Sequence, residues 1–200
     1  MKTQRILRAV YLAVMGAAMI GTLSAAPTLV PYEELDGLFA IDLPQGHQLN
    51  KKVEKIFYAF KGDGPDILLY YEKKQKDLTL AGDMLTSTIK DQIQNAKPGP
   101  RSEMQVNGHP ATFVIYQGTV QVPVGNPVIT NITVELFAMN GSVRLKKGAL
   151  SFASIYSSEQ KKQFEETLQK SFQSIRETGA AVQPAPAEKK DEKKDKPAGK

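Results

Sequence analysis

The chain has 200 residues, of which 41% are hydrophobic and 24% are charged, and its formal net charge is +5. This is the composition of a globular protein. Two histidines are present but neither cysteine nor tryptophan, which excludes a disulfide scaffold, a cysteine zinc site and a thiol nucleophile.

The first 26 residues have the layout of a secretory signal peptide. Three basic residues come first, Lys2, Arg5 and Arg8. The apolar stretch from Val10 to Leu23 is about 14 residues long, shorter than the roughly 20 that a membrane-spanning helix needs. We therefore favour a cleaved signal over a retained anchor. We expect cleavage after Ala25, because cleavage after Ala26 would place Pro27 at the first mature position.

Removal of residues 1–26 lowers the formal net charge from +5 to +2. From residue 27 to residue 177 the chain has 17 basic and 17 acidic residues. A nucleic-acid-binding protein concentrates basic residues on one face, so this balance is not typical of that class. We expect an exported protein of the periplasm or the extracellular space. It would have no nucleic-acid partner and no transmembrane segment after signal cleavage.

The mature chain is predicted to contain a short linker (27–37), one domain (38–177) and a tail (178–200) rich in lysine, proline and alanine. The tail has no aromatic residue and only one β-branched aliphatic residue, Val182. Such a segment cannot bury enough apolar surface to offset the entropy lost on ordering. We therefore expect the tail to be disordered.

The first half of the domain predicts three strands followed by a helix. The strands are 38–43, 53–60 and 67–73, and the glycines and proline of 61–66 are typical of a hairpin loop. Apolar residues at helical spacing then indicate one helix from about Leu80 to Ala96. Pro98 and Pro100 end it.

The second half predicts four strands, at 103–106, 110–122, 128–139 and 142–156. Asn107-Gly108 and Asn140-Gly141 are dipeptides that favour type I′ hairpin turns. The segment Val122 to Pro127 is interpreted as a longer hairpin tip, and the strand that follows alternates between apolar and polar residues. Its apolar side consists of Ile132, Val134 and Leu136.

A second amphipathic helix ends the domain. It begins near Ser157, where Gln160 three residues later permits a capping box. Phe164, Leu168 and Phe172 follow four residues apart. The order βββ-α-ββββ-α with hairpin connections predicts an α+β fold with a central antiparallel sheet. Because several strands are apolar on both sides, we expect helices on both faces, an α/β/α sandwich.

Three segments carry a resemblance to a known family: FAIDLPQGH in the first strand and turn, VNGHPATFVIYQG in a hairpin, and FEETLQKSFQSI in the last helix. Over Leu38 to Ile175 the chain resembles the PsbP-like superfamily, and within it the bacterial envelope branch similar to DcrB. The resemblance implies an α/β/α sandwich that serves as a binding or assembly scaffold, without enzymatic activity and without a cofactor.

The residues offer little for catalysis. An imidazole base could come only from His47 or His109, and no G-x-S-x-G motif places a serine. Carboxylates for acid–base chemistry are candidates at Asp42, Asp63 and Asp66, but each fits a turn or a strand end. Two histidines without cysteine make a transition-metal site improbable. We predict no catalytic, cofactor or metal site.

Two basic clusters are candidates for an interaction surface. The residues are Lys51, Lys52, Lys55, Arg144, Lys146 and Lys147. They could meet anionic lipid head groups or an acidic protein partner. The alternative is a solvated sheet edge whose charges prevent edge-to-edge pairing.

Three functional hypotheses follow. The first is a non-enzymatic exported envelope protein that binds a protein partner or assists assembly of an envelope complex, through a sheet edge and the hairpin tip. The second is a small-ligand carrier with a pocket between the sheet and the helix near Leu80 to Ala96, lined by Tyr70, Tyr71 or Tyr116. The third, an envelope hydrolase, lacks a recognisable triad.

Overall fold

The computed structural model describes residues 27–54, 56–125 and 130–178. The predicted signal peptide, Lys55, the end of the predicted hairpin tip and the tail from residue 179 lie outside the described residues. Predictions that concern those segments remain predictions.

Hydrogen-bonded strands make up most of the domain. The strands are β1 (Leu29–Glu33), β2 (Ala40–Pro44), β3 (Gln48–Val53), β4 (Phe57–Lys61), β5 (Ile67–Lys73), β6 (Gln94–Pro98), β7 (Ser102–Val106), β8 (His109–Val124), β9 (Thr130–Leu145) and β10 (Gly148–Ser157). The helices are α1 (Leu78–Ala81), α2 (Asp83–Gln92) and α3 (Ser158–Gln173).

Eight of these strands form one antiparallel sheet in the order β3-β4-β5-β10-β9-β8-β6, in which β7 pairs with the first part of β8. The strands β1 and β2 form a separate antiparallel pair. The α+β class and the antiparallel sheet predicted from the sequence are confirmed.

Helices cover both faces of the large sheet. Along β5, Ile67 and Leu69 join the core that contains Phe172 of α3, whereas Leu68 joins the core that contains Leu85 of α2. Neighbouring residues of a strand point to opposite faces, so α3 and α2 lie on opposite sides. The pair β1–β2 packs on the α3 side, and the sandwich architecture is confirmed.

The predicted linker contains strand β1, which the sequence analysis did not anticipate. Tyr32 of β1 packs edge-on against Phe60, with ring centroids 4.9 Å apart. The predicted strand 53–60 starts too early, because β3 ends at Val53 and Glu54, with a φ of 52°, turns the chain before β4 begins at Phe57. Val53 then pairs directly with Phe57 across the hairpin.

The single helix predicted over 80–96 is two helices, α1 and α2, on either side of Gly82, and the prediction is too long at its C-terminal end. α2 ends at Gln92, and β6 follows at once and pairs with β8. Gly118 of β8 permits this approach, since a Cβ there would overlap the Ile93 side chain and the Gln94 carbonyl oxygen. The strand pairing therefore overrides the helical periodicity that Ile93 continues.

The two Asn-Gly dipeptides behave differently. Asn107 and Gly108 have φ values of 48° and 79°, and the predicted hairpin turn is confirmed. The predicted turn at Asn140-Gly141 is wrong, because β9 runs through it and turns at Lys146 and Lys147 instead. A Cβ on Gly141 would lie 2.5 Å from the Phe172 ring, so the glycine serves close packing of α3.

The predicted start of α3 is confirmed. Ser157 is its N-cap, and its hydroxyl accepts the Gln160 N–H at 3.3 Å. The Gln160 side chain accepts the Ser157 N–H at 3.1 Å, which completes the capping box. The Phe164, Leu168 and Phe172 stripe is buried as expected.

Candidate functional site

The candidate catalytic residues make structural contacts. His47 Nε2 lies 2.9 Å from the Pro65 carbonyl oxygen, to which it donates as the Nε2–H tautomer. Asp42 Oδ1 accepts a hydrogen bond from Arg176 Nη1 at 2.8 Å. His109 is the first residue of β8 and pairs with Val106. The side chains of His47 and Asp42 thus each hold two segments of the chain together.

Asp66 has a partly buried carboxylate. Burial raises the pKa of its carboxyl above the ordinary value, and the Lys61 ammonium, 3.7 Å away, opposes that rise. The nearby Ser154 hydroxyl donates to the Asp66 backbone carbonyl at 2.8 Å, so it is not paired with a base. Among the residues that the structure describes, no three His, Asp or Glu side chains cluster as metal ligands.

The tyrosines expected to line a small-ligand pocket pack in the two cores. Tyr70 and Tyr116 pack under α2, whereas Tyr71 points to the opposite face. A cavity of about 460 Å³ lies elsewhere, between the β1–β2 pair and β3. It is open to solvent and lined mainly by apolar side chains, among them Val30, Leu43, Leu49 and Phe60.

The two predicted basic clusters are far apart. β4, β5 and β10 lie between β3, which carries Lys51 and Lys52, and β9, which carries Arg144. Four strand spacings amount to about 19 Å. Lys146 and Lys147 form the β9–β10 turn near Arg144, and Lys55 lies outside the described residues. The five described residues therefore do not form one surface.

Lys52 has a structural partner. Its ammonium lies 2.7 Å from Oε1 of Glu34, whose side chain is fully buried, and 5.2 Å from the centre of the Tyr58 ring. Glu34 Oε2 also accepts the Asp36 N–H at 2.7 Å. Burial and the Glu34 carboxylate together raise the pKa of Tyr58. This ion pair ties the segment after β1 to edge strand β3.

A two-stranded arm extends beyond the sheet. β8 and β9 each have 16 residues, but β6 pairs with β8 only as far as Thr119, and β10 pairs with β9 only from Leu136 onward. Residues 120–124 and 130–134, here called the arm, therefore pair only with each other among the described residues. Each arm strand leaves one row of backbone N–H and C=O groups without a neighbouring strand.

The two faces of the arm differ in polarity. One face carries the cross-strand pairs Val120–Val134 and Val122–Ile132. The opposite face carries the pair Gln121–Thr133, whose side chains hydrogen-bond at 2.8 Å. The apolar face continues that of Leu136 and therefore the α2 side of the core. The alternation predicted for Ile132, Val134 and Leu136 is confirmed.

The apolar face of the arm is partly exposed to solvent, with Val120, Val122 and Val134 half-buried. Ile132 is 46% exposed and Val124 is 38% exposed. From Pro110 to Val134 the sequence contains no charged residue, although 24% of the chain is charged. Proteins usually protect free strand edges with charges, so an uncharged, partly apolar arm is a candidate protein-binding surface. The sequence indicates the hairpin tip and a sheet edge, but not that the free edges belong to β8 and β9.

Comparison with solved structures identifies the architecture. The solution structure of cyanobacterial PsbP (CyanoP) from Synechocystis sp. PCC 6803 superposes with a TM-score of 0.50 over 80% of this chain and 97% of that chain. The fold is PsbP-like. The Ran-binding protein Mog1p of Saccharomyces cerevisiae gives a TM-score of 0.48 over 76% of this chain and 95% of that chain.

Sequence identity to these PsbP-like structures is low, 12% for CyanoP and 11% for Mog1p. The predicted PsbP-like fold is thus confirmed at the level of the fold alone. No protein-family model and no curated protein matches the chain. Within the described residues, no helix is long and apolar enough to cross a membrane.

Proposed function

We propose that the chain is a non-enzymatic, exported protein of the bacterial cell envelope whose PsbP-like domain binds a protein partner through the arm. The arm carries this proposal, because it combines a partly exposed apolar face with free strand edges. A partner segment in extended conformation would add a strand to one edge of the arm. Its main-chain groups would supply hydrogen bonds, and its alternate side chains would lie beside the valines and Ile132.

The cross-strand pairs favour a partner with aliphatic side chains. Val122 and Ile132 lie directly opposite each other, so they form a continuous β-branched surface. An isolated two-stranded ribbon is only marginally stable in water. Addition of a third strand would satisfy one backbone edge of the arm and place apolar side chains beside its valines, which stabilises the arm and the complex together.

The contacts of the candidate catalytic residues support the non-enzymatic part of the proposal. His47 binds a backbone carbonyl, and Asp42 is engaged by Arg176. A general base must have a free atom that reaches the proton it abstracts, and His47 Nε2 and Asp42 Oδ1 are both already engaged. Scaffold function, as in the DcrB-like envelope branch that the sequence resembles, is the interpretation that we adopt.

Affinity capture from chemically crosslinked cell envelopes tests the arm. The bait variant Val122→Lys with Ile132→Lys places two charges on the apolar face. The matched control, Gln121→Lys with Thr133→Lys, places the same charges on the next cross-strand pair, on the polar face. We expect one envelope protein or complex to be enriched by the unmodified domain and by the control, and to be lost with the apolar-face variant.

Equal capture by both variants would contradict binding through the apolar face. Failure of the unmodified domain to enrich any envelope protein would contradict the function itself. All four substituted positions lie outside the sheet core, so the thermal unfolding of both variants should match that of the unmodified domain. This measurement distinguishes lost binding from lost folding.

A further inference from the structure

A cluster of lysines lies at the end of the sheet opposite the arm. Lys73 is the last residue of β5 and pairs with Gly148, and the Lys74 N–H donates to the Lys147 carbonyl oxygen at 3.0 Å. The β5–α1 connection is thereby joined to the β9–β10 turn. The exposed residues that it brings together are Lys73, Lys74, Lys76, Lys146 and Lys147, here called the lysine face.

The charges of the lysine face are available to a ligand. None of the ion pairs among the described residues uses any of the five ammonium groups. The acidic residues on the same segments are fewer: Glu72, Asp77 and Glu177. The Glu177 carboxylate accepts the backbone N–H of Lys146 at 2.7 Å. An excess of positive charge therefore remains at this end of the domain.

Two features of the lysine face bear on the kind of ligand. Leu80, in the short helix α1, is 55% exposed and follows Lys76 by four residues. The lysine ammonium is a compact point charge on a flexible side chain, so it can pair with phosphate groups in many positions. The planar arginine guanidinium is better suited to bidentate hydrogen bonds with a partner in a fixed position. Exposed leucine with lysine is typical of surfaces that lie at a lipid interface.

We propose that the lysine face binds the surface of an anionic phospholipid membrane. The ammonium groups would meet the phosphate head groups, and Leu80 would enter the interfacial region. No aromatic residue lies within the segment 73–81, as base stacking on a nucleic acid would require. The inference rests on the lysine face and not on the arm, so each can fail without the other.

The strand β9 joins the two surfaces directly. It begins in the arm at Thr130 and ends at Leu145, one residue before Lys146. At about 3.3 Å per residue, its 16 residues separate the two surfaces by about 50 Å. A domain held to a membrane by the lysine face would therefore present the arm at the opposite end, away from the lipid.

Vesicle co-sedimentation tests the proposal with the chain from Pro27 to Lys200, which contains every described residue. The probe vesicles are phosphatidylcholine alone and phosphatidylcholine with phosphatidylglycerol. We expect binding to the second kind only, weakened as salt is raised. Each lysine near an anionic surface contributes about fivefold to partitioning. Lys73→Gln, Lys146→Gln and Lys147→Gln together should weaken binding by at least about tenfold.

A matched control removes the same number of charges from other surfaces. It combines Lys90→Gln of α2, Lys97→Gln of β6 and Lys162→Gln of α3, which are all exposed. We expect it to weaken binding by less than about twofold. Equal losses in both triple variants would overturn the lysine face as the site, as would full binding by the first variant.

Two further measurements test whether the ligand is an anionic lipid or an acidic protein, and whether the domain or the tail binds it. Soluble polyglutamate in place of vesicles tests an acidic protein partner, and tighter binding to it at equal charge would overturn the lipid assignment. A chain ending at Thr178, the last described residue, should retain binding to phosphatidylglycerol vesicles. Complete loss on that truncation would assign binding to the tail and overturn the proposal.

Discussion

The contact between Gly141 of β9 and Phe172 of α3 predicts a specific cost for the substitution Gly141→Ala. The added Cβ would lie 2.5 Å from Phe172 Cε2 and 2.7 Å from Cζ, against an ordinary carbon–carbon contact of about 3.5–4.0 Å. The ring must therefore retreat by about 1 Å. Phe113 and Phe152, with ring centroids 5.4 Å and 5.8 Å away, surround it.

The expected cost is the difference between two effects. Overpacking a filled core costs about 1–3 kcal/mol. Replacing glycine by alanine within a strand returns about 0.5–1 kcal/mol of backbone entropy. We expect Gly141→Ala to lower the free energy of unfolding by about 1–2 kcal/mol, measured by urea denaturation of the chain from Pro27 to Thr178.

A double-mutant cycle with Phe172→Leu isolates the contact. Leucine lacks the Cε2 and Cζ atoms, so Gly141→Ala should cost nothing or stabilise slightly in that background. The same cost in both backgrounds would refute the packing explanation. It would indicate instead that the Asn140-Gly141 dipeptide needs glycine for its own backbone conformation, as a hairpin turn would.

Three other predictions follow from named contacts. Asn107 has a positive φ, and its Nδ2 donates to the carbonyl oxygens of Gln173 and Ile175 at the end of α3. In urea denaturation, Asn107→Gly should lower the free energy of unfolding by about 1–2 kcal/mol and Asn107→Ala by about 1 kcal/mol more. Equal costs of the two substitutions would contradict a role for φ. The pKa of Tyr58 is raised in the folded state, so its contribution to stability is present below pH 10 and lost as pH rises above that value. Tyr58→Phe should reduce the loss of unfolding free energy between pH 9 and about pH 11, and an unchanged slope would count against this. The pKa of Asp66 is also raised, so its contribution to stability is present below pH 3.8 and lost as pH rises. Asp66→Asn should therefore stabilise the domain at pH 7 but not near pH 3. Equal effects on stability at both pH values would exclude burial of the charge as the cause.

Local sequence signals predict a turn or a helix cap correctly where the local preference agrees with the tertiary packing. Asn107-Gly108 forms the predicted turn, and Ser157 with Gln160 forms the predicted cap. At Asn140-Gly141 the same dipeptide signal misleads, because the Phe172 ring needs the space that a strand glycine leaves. Nothing in the dipeptide distinguishes a glycine needed for positive φ from one needed for close approach.

The missed strands depend on partners that are distant in sequence. β6 has no apolar alternation, and its extended state comes from pairing with β8 beside Gly118. β1 contains Pro31, which weakens a strand prediction, yet Tyr32 anchors it on Phe60. Neither contact can be inferred from the residues of the strand itself.

The candidate surfaces were predictable in part. The apolar alternation of β9 could be read directly, but the free edges of the arm follow from where β6 and β10 stop pairing. Lys146 and Lys147 were identified as a cluster, whereas Lys73 and Lys74 join them only through the β5–β10 pairing. Lys52, also a candidate, is engaged by Glu34, a contact that the sequence did not indicate.

Site-specific photocrosslinking in intact cells tests the central claim, binding of a protein partner through the apolar face of the arm. A photoreactive phenylalanine analogue replaces Val122 in one strain and Gln121 in another, so that neighbouring residues of β8 probe opposite faces. We predict a crosslinked product of one defined mass from position 122 and none from position 121. Products of equal yield from both positions, or no product from position 122, would contradict the claim.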